Sequence, residues 1–175
     1  MPIDPQPTVF RSGTALVVQL PNSAVSGGNA RGQSATDMQT VRTAATQVAS
    51  GAFSVLSGGR NNTVSGQDAT VGGGNTNAAS NDRATVAGGS SNTASGATAT
   101  VGGGGANTAS ATHATIAGGS TNTASGVQSA VLGGFSNVAS GINSWVPGGA
   151  FATTRGITSR GAWAGTRIAT TGDAQ

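Results

Sequence analysis

The sequence predicts an all-β fold, a parallel β-roll solenoid built from coils of fifteen residues. Residues 54–158 divide into seven rows of fifteen residues that keep one register throughout. A fixed repeat of this kind is typical of a solenoid, in which each repeat forms one coil and stacks on its neighbours. Place 3 of every row is apolar: Leu56, Val71, Val86, Val101, Ile116, Val131 and Val146. Places 5 and 6 are glycine in every row: Gly58, Gly59, Gly73, Gly74, Gly88, Gly89, Gly103, Gly104, Gly118, Gly119, Gly133, Gly134, Gly148 and Gly149.

Each row reads as two short strands joined by two corners. Side chains of a strand alternate between its faces, so in the first strand places 1 and 3 face inward and place 2 faces outward. We therefore expect the place-3 residues to form the buried core of the repeats. The Gly-Gly pair forms the first corner, because glycine adopts a positive φ at no steric cost. The outward place 2 holds threonine in four consecutive rows: Thr70, Thr85, Thr100 and Thr115.

The second strand begins at place 9, and the second corner lies at place 13. Place 13 is glycine in most rows, which again indicates a positive φ. Asn81 fits this corner because asparagine tolerates the left-handed region, whereas Ala111 predicts a strained or altered corner. Place 9 is Ala152 in the last row and asparagine in the other six, and we expect these amides to stack along the axis as in stacked parallel strands: Asn62, Asn77, Asn92, Asn107, Asn122 and Asn137.

The N-terminal part departs from the repeat. Residues 1–22 are predicted to be a non-repeat attachment segment, whose apolar run Thr14–Leu20 reads as a strand that caps the first coil or docks onto another protein. Residues 23–53 read as degenerate coils, since terminal repeats of solenoids are often atypical. In this interpretation Met38 is a one-residue insertion, and 39–53 form a coil that lacks the Gly-Gly corner.

The C-terminal part also changes character. Rows six and seven introduce Phe135, Trp145, Pro147 and Phe151. The register fails beyond Thr158 in the sequence, so residues 159–175 are predicted to be a C-terminal cap or a transition to another module. The alternative is an aromatic and arginine ligand surface formed by Trp163, Arg160 and Arg167.

The composition excludes most catalytic chemistry. The chain has no cysteine, and its one histidine, His113, has no partner histidine. Asp68 and Asp82 are one coil apart, but they lack supporting groups for acid–base chemistry. We expect no catalytic, cofactor-binding or metal-binding residues, and no enzymatic activity. The net charge of +3 with scattered arginines argues against nucleic acid as a partner, and no apolar stretch has the length of a membrane span.

The motifs A-T-V-G-G and T-A-S-G resemble the head repeats of YadA-type trimeric autotransporter adhesins. The family repeat is usually one residue shorter and has a single glycine where this chain has two. The same repeat type occurs in bacteriophage tail fibres, and the segment at 39–51 looks like segments that introduce such arrays. The resemblance implies a left-handed β-roll that assembles as a parallel homotrimer.

Assembly also follows from the thin coil, because a small isolated core struggles to offset the conformational entropy of folding. Place 11 supplies a column of small residues, which we expect near the trimer axis: Ala79, Ala94, Ala109, Ala124 and Ala139. The expected function is a structural tail-fibre or tail-shaft protein of a virion that contributes to attachment to a host surface receptor. With no visible signal peptide, we expect synthesis in the host cytoplasm. The alternatives are a bacterial surface adhesin passenger and an ice-binding solenoid.

Overall fold

The computed structural model describes residues 31–39 and 41–163, which form a parallel β-solenoid. Residues 1–30, with the predicted strand Thr14–Leu20, and the C-terminal residues 164–175 lie outside the described residues. Every strand in the described part has two residues. The strands are β1 Thr36–Asp37, β2 Val55–Leu56, β3 Thr63–Val64, β4 Thr70–Val71, β5 Ala78–Ala79, β6 Thr85–Val86, β7 Thr93–Ala94, β8 Thr100–Val101, β9 Thr108–Ala109, β10 Thr115–Ile116, β11 Thr123–Ala124, β12 Ala130–Val131, β13 Val138–Ala139 and β14 Trp145–Val146.

The strands form two parallel sheets that run along the solenoid. Sheet 1 has the order β1-β2-β4-β6-β8-β10-β12-β14, and sheet 2 contains β3, β5, β7, β9, β11 and β13. Each strand pairs with the strand one coil later, as Val71 does with Val86 and Ala79 with Ala94. The predicted all-β parallel solenoid with coils of about fifteen residues is therefore confirmed. Eight strands at about 4.8 Å spacing give sheet 1 a length of roughly 34 Å.

The core is a thin apolar layer between the two sheets. In row two, Ala69 and Val71 enter it from sheet 1 and Ala79 enters it from sheet 2, and all three are 0% exposed. The outward Thr70 between the first two is half-buried. The seven place-3 residues named above are all fully buried. Side chains alternate between the two faces of each strand, so places 1 and 3 face the core and place 2 faces outward, as the sequence predicts.

The place-11 alanines lie inside the coil and form no surface. Ala79, Ala94, Ala109, Ala124 and Ala139 are 0% exposed in the single chain and belong to its core cluster. Their inward position follows from the alternation in sheet 2, because place 10 takes the outward direction. The expected alanine column at a trimer axis is therefore wrong, and any contact between copies uses other residues.

The two corners reverse the chain direction with positive φ angles at different places of the repeat. At the first corner the place-6 glycines have φ from +79° to +90°, as in Gly59 and Gly89. At the second corner the left-handed residue is place 15, for example Asp68 with φ 54° and Arg83 with φ 56°. Glycine at place 13 allows a close approach to the next coil, since a Cβ on Gly66 would lie 1.9 Å from the carbonyl oxygen of Asn81. The rows with Asn81 and Ala111 accommodate a Cβ at this place.

The prediction of a positive φ at place 13, including Asn81, is therefore wrong for the regular rows. Ala111 also keeps the turn of its neighbours. The Ala114 N–H donates to the Ala111 carbonyl over 3.1 Å, as the Ala99 N–H does to that of Gly96. Within the described residues the Ala111 N–H has no counterpart of the bond that the Gly96 N–H makes to the Ala109 carbonyl over 3.3 Å, so the corner at Ala111 keeps its turn but is altered in this one bond.

The first described coil has nineteen residues and a different register from the one predicted. Asp37 pairs with Leu56 at an offset of nineteen, whereas Ala49 pairs with Val64 at an offset of fifteen. Four extra residues therefore lie between Val41 and Ala49. Met38 is no insertion, because its N–H donates to the Leu56 carbonyl over 2.9 Å as a regular ladder residue.

One extra residue lies between Thr153 and Ile157, so the seventh row has sixteen residues and not the fifteen predicted, and the register then continues past Thr158. Val138 pairs with Thr153 at an offset of fifteen, and Trp145 pairs with Gly161 at an offset of sixteen. Ala162 is only 3% exposed and joins the core. The break expected beyond Thr158 is therefore corrected to a one-residue insertion, and the coil pattern extends to the last described residue, Trp163.

Candidate functional site

A ladder of buried asparagine side chains holds consecutive coils together. The six place-9 asparagines are at most 1% exposed. The Oδ1 of Asn92 accepts the N–H of Asn107 over 3.0 Å, and its Nδ2 donates to the carbonyls of Gly88 and Gly104 at 2.9 Å each. The same three bonds recur along the column at 2.8–3.1 Å. The expected stacking along the axis is found, but the amides bond to backbone groups and not to each other.

The ladder ends differently at its two ends. At the C-terminal end the N–H of Ala152 donates to Asn137 Oδ1 over 2.9 Å. At the N-terminal end Gln39 takes the place of an asparagine. Its Oε1 accepts the N–H of Asn62 over 2.9 Å, and its Nε2 donates to the Asn62 carbonyl over 2.8 Å. The side chain of Gln39 thus satisfies both backbone groups that the first asparagine presents.

A buried ion pair closes the core beside Gln39. Asp37 occupies the core position opposite Leu56, and Arg42 Nη2 lies 2.9 Å from its Oδ1, with both side chains 0% exposed. Asp37 also accepts the N–H of Ala49 over 3.2 Å. Burial lowers the pKa of Arg31, whose Nε is 3.5 Å from Asp37 Oδ2; the carboxylate opposes this shift and Arg42 adds to it.

The four inserted residues of this coil make room for Arg42 to turn inward. The Oε1 of Gln47 accepts the N–H groups of Thr43 and Ala44 at 2.7 and 2.9 Å, and the Gln47 carbonyl accepts from Arg42 Nε at 2.8 Å. Asp37, Gln39, Arg42 and Gln47 therefore form a polar plug that takes the place of apolar side chains at this end. Sequence reasoning missed it because Val41 looked like the core residue, although Val41 is 51% exposed.

The titratable residues considered above lie on the surface. Asp68 and Asp82 both contact Gln67, whose Nε2 donates to Asp68 Oδ2 over 3.1 Å and whose N–H donates to Asp82 Oδ1 over 3.3 Å. His113 is exposed at place 15. Across 31–39 and 41–163, no three His, Cys, Asp or Glu residues are close enough together to hold a metal ion. The same residues contain no helix that is long and apolar enough to span a membrane.

The regular coils present two ordered outward features. Thr70, Thr85, Thr100 and Thr115 pair directly with one another along sheet 1. The corners carry the side chains that vary most between rows. There the left-handed backbone at places 8 and 15 turns residues such as Asp68 outward.

Three apolar surfaces cover the last coils. The tryptophan face consists of Leu132, Trp145, Pro147 and Trp163 on the outside of sheet 1, where the three large side chains Leu132, Trp145 and Trp163 are 55%, 49% and 67% exposed. At the first corner the phenylalanine edge consists of Phe135 and Phe151, whose ring centroids are 5.4 Å apart at an interplanar angle of 86°. At the second corner the isoleucine edge consists of Val127, Ile142 and Ile157, which are 42–50% exposed.

These features place the chain in the class of parallel β-solenoids with side-chain ladders. No protein-family model matches the chain, and no curated protein matches it. Its described surface carries a threonine column, corners that vary between rows and an apolar end.

Proposed function

We propose that the chain is a structural module of a bacteriophage attachment fibre, a tail fibre or tail-associated shaft. In this proposal the coils are left-handed, and parallel copies form a homotrimer that contributes to contact with the host surface. Residues 1–22 attach the module to another virion protein. The chain carries no enzymatic activity and is made in the host cytoplasm before it enters the virion.

The observation that carries the proposal is the uninterrupted axial bonding. Backbone ladders in both sheets and the asparagine ladder link every coil to the next. Because buried polar groups are costly when unpaired, this continuous bonding resists bending and local opening of the stack. A stiff rod of fixed length is what a fibre shaft requires. The resemblance of the repeats to those of phage fibres and trimeric adhesin heads supports the same function.

The corners support a role in contact. Arg60 and Arg83 are exposed at places 7 and 15, and each of these positions holds six different residue types in the seven rows. The backbone there is set by the glycines and the asparagine ladder, so the outward side chain is free to vary without loss of the coil. A fibre can thus change its receptor contacts while it retains its shaft.

The proposal is tested on virus particles. Antibodies raised against the purified chain, detected with gold particles by electron microscopy, are expected to label a fibre or the tail of the virus that encodes it. The purified protein is expected to slow adsorption of that virus to its host. Absence of the chain from purified particles would refute the proposal. An upstream secretion signal in a bacterial gene would instead favour a bacterial surface adhesin.

The threonine column favours ice binding as a second candidate function. Thr70, Thr85, Thr100 and Thr115 repeat at the strand spacing of about 4.8 Å on a continuous parallel sheet. The column ends at Ala130, which pairs with Thr115, so the regular face covers four coils. A thermal-hysteresis measurement on the purified protein separates the candidates, because a fibre shaft has no effect on ice growth.

A further inference from the structure

The exposed apolar side chains of the described chain are concentrated at one end. Of ten exposed large hydrophobic residues, seven lie between Val127 and Trp163. The same three positions of earlier coils carry small or polar residues: Ala87 precedes Leu132, Ser90 precedes Phe135 and Ala97 precedes Ile142 by three coils. The coil geometry is the same in both regions, so folding does not require the large side chains. Their presence points to an interaction surface.

The exposed apolar area of the last coils is divided among the three surfaces. Aromatic residues carry roughly 200 Å² each, so the exposed fractions of Trp145, Trp163 and Phe135 amount to about 330 Å². The four aliphatic residues Val127, Leu132, Ile142 and Ile157 add about 200 Å² at roughly 100 Å² for a whole side chain. The total of about 530 Å² lies on three separate surfaces, so one neighbour covers only part of it, whereas two neighbours around a shared axis cover all of it.

The arrangement of the three surfaces selects the kind of partner. The phenylalanine and isoleucine edges lie at the two opposite corners of the same coils, so contact with one neighbour leaves one edge in water. A head-to-tail contact that joins unlike edges generates a ring, and three is the smallest number of chains in which both edges face a neighbour. The outer face of sheet 2 at this level carries Thr123, Ser125 and Ser140 beside the half-buried Val138, and it is more polar than the tryptophan face.

We propose that copies of this chain associate in parallel and in register through their last three coils. The phenylalanine edge of one chain packs on the isoleucine edge of the next, and the tryptophan face turns toward the common axis. This inference rests on the proposed fibre function and names the contact surface of its trimer. It replaces the buried alanine column as the site of contact between chains.

The test compares three proteins by sedimentation equilibrium over a range of concentrations. The wild-type chain of 16.6 kDa is expected to sediment with the mass of three chains. The interface variant carries Leu132→Ala, Phe135→Ser and Ile142→Ala, which restore on each surface the residue found three coils earlier. It is expected to sediment as a folded monomer at concentrations where the wild type is trimeric. The control variant Ala87→Ser, Ser90→Ala and Ala97→Ser changes the same places in the middle of the rod and is expected to remain trimeric.

Circular dichroism establishes that each variant is folded, and the large-to-small changes all occur at outward positions. A monomeric wild-type chain would overturn the inference, because the apolar surfaces would then be covered by something other than a second copy of the chain. A trimer that persists in the interface variant would overturn it as well. The proposed function fails separately, since gold labelling of virus particles does not depend on how many chains associate.

Discussion

The asparagine ladder makes a quantitative prediction for Asn107. Substitution Asn107→Ala removes the acceptor of the buried Asn122 N–H, at 2.9 Å, and the donor to the carbonyls of Gly103 and Gly119, each at 2.9 Å. An unsatisfied buried polar group costs about 1–3 kcal/mol. The N–H is fully enclosed, while the two carbonyls lie at the corner and regain part of their hydration. We therefore expect a loss of about 3–5 kcal/mol in the free energy of unfolding.

The measurement is thermal and urea unfolding followed by circular dichroism. At about 2–4 °C per kcal/mol for a chain of this size, the melting temperature should fall by roughly 6–20 °C. Asn107→Asp should be at least as damaging, because it keeps the acceptor but places a charge where the carbonyls need a donor. Asn75→Ala is the control, since its amide lies outside the ladder and accepts from the exposed Thr76 hydroxyl. If Asn107→Ala unfolds within about 0.5 kcal/mol of that control, the ladder contributes little and the reasoning is refuted.

Three further substitutions test the core, the first corner and the polar plug by the same unfolding measurements. Val101→Asp buries an unpaired charge and should cost at least about 3 kcal/mol, whereas a similar loss for the outward Thr100→Asp would contradict the assigned faces. Gly119→Ala should cost several kcal/mol, because its φ is +88° and a Cβ would lie 2.6 Å from the side-chain nitrogen of Asn122. The neighbouring Gly118→Ala should be nearly neutral, because a Cβ there would meet no atom within 4 Å. Equal losses for the two variants would contradict the claim that only the second glycine is constrained. Asp37→Ala should cost about 3–5 kcal/mol because Arg42 stays buried without its carboxylate partner, and replacing both residues by leucine should recover much of that loss; a stable Asp37→Ala protein would show that the plug is unimportant.

The repeat register predicted the architecture because each coil uses the same few rules. Alternation along a strand decides that Val101 is buried and Thr100 is not, and this depends on local geometry alone. The Gly-Gly pair marked a corner correctly. The sequence treats Gly118 and Gly119 alike, however, and only the positions of Asn122 and the next coil show that the second glycine is the constrained one.

The ends of the solenoid could not be predicted by the same rules. Hydrophobicity favoured Val41 as a core residue, but Asp37 takes that position because Arg42 and the N–H of Ala49 compensate its charge. Such compensation depends on residues brought together by a four-residue insertion, which periodicity does not reveal. The sequence alone also did not decide whether Ala109 faces inward. The structure shows that Asn107 is buried, and Ala109, two residues later, therefore faces the same way.

The surfaces of the last coils were visible in the sequence only as a change in residue type. Trp145 and Phe151 were noticed, but a break in register was expected near them. The register continues, and this brings Trp163 onto the same face of sheet 1 as Trp145 and Leu132. The apolar end thus became a coherent surface only when the coil positions were known.

The central claim, a single stack of coils along one axis, is tested most directly by distances between spin labels. The chain has no cysteine, so pairs of cysteines can be introduced at the exposed place-15 residues, labelled, and diluted with unlabelled protein to isolate distances within one chain. Asp68 with Gln128 spans four coils and Asp68 with Asn143 spans five. At about 4.8 Å per coil, the backbone separations should be roughly 19 and 24 Å, so the longer pair should exceed the shorter by about one strand spacing. Label distances that do not increase with the number of coils would contradict the solenoid.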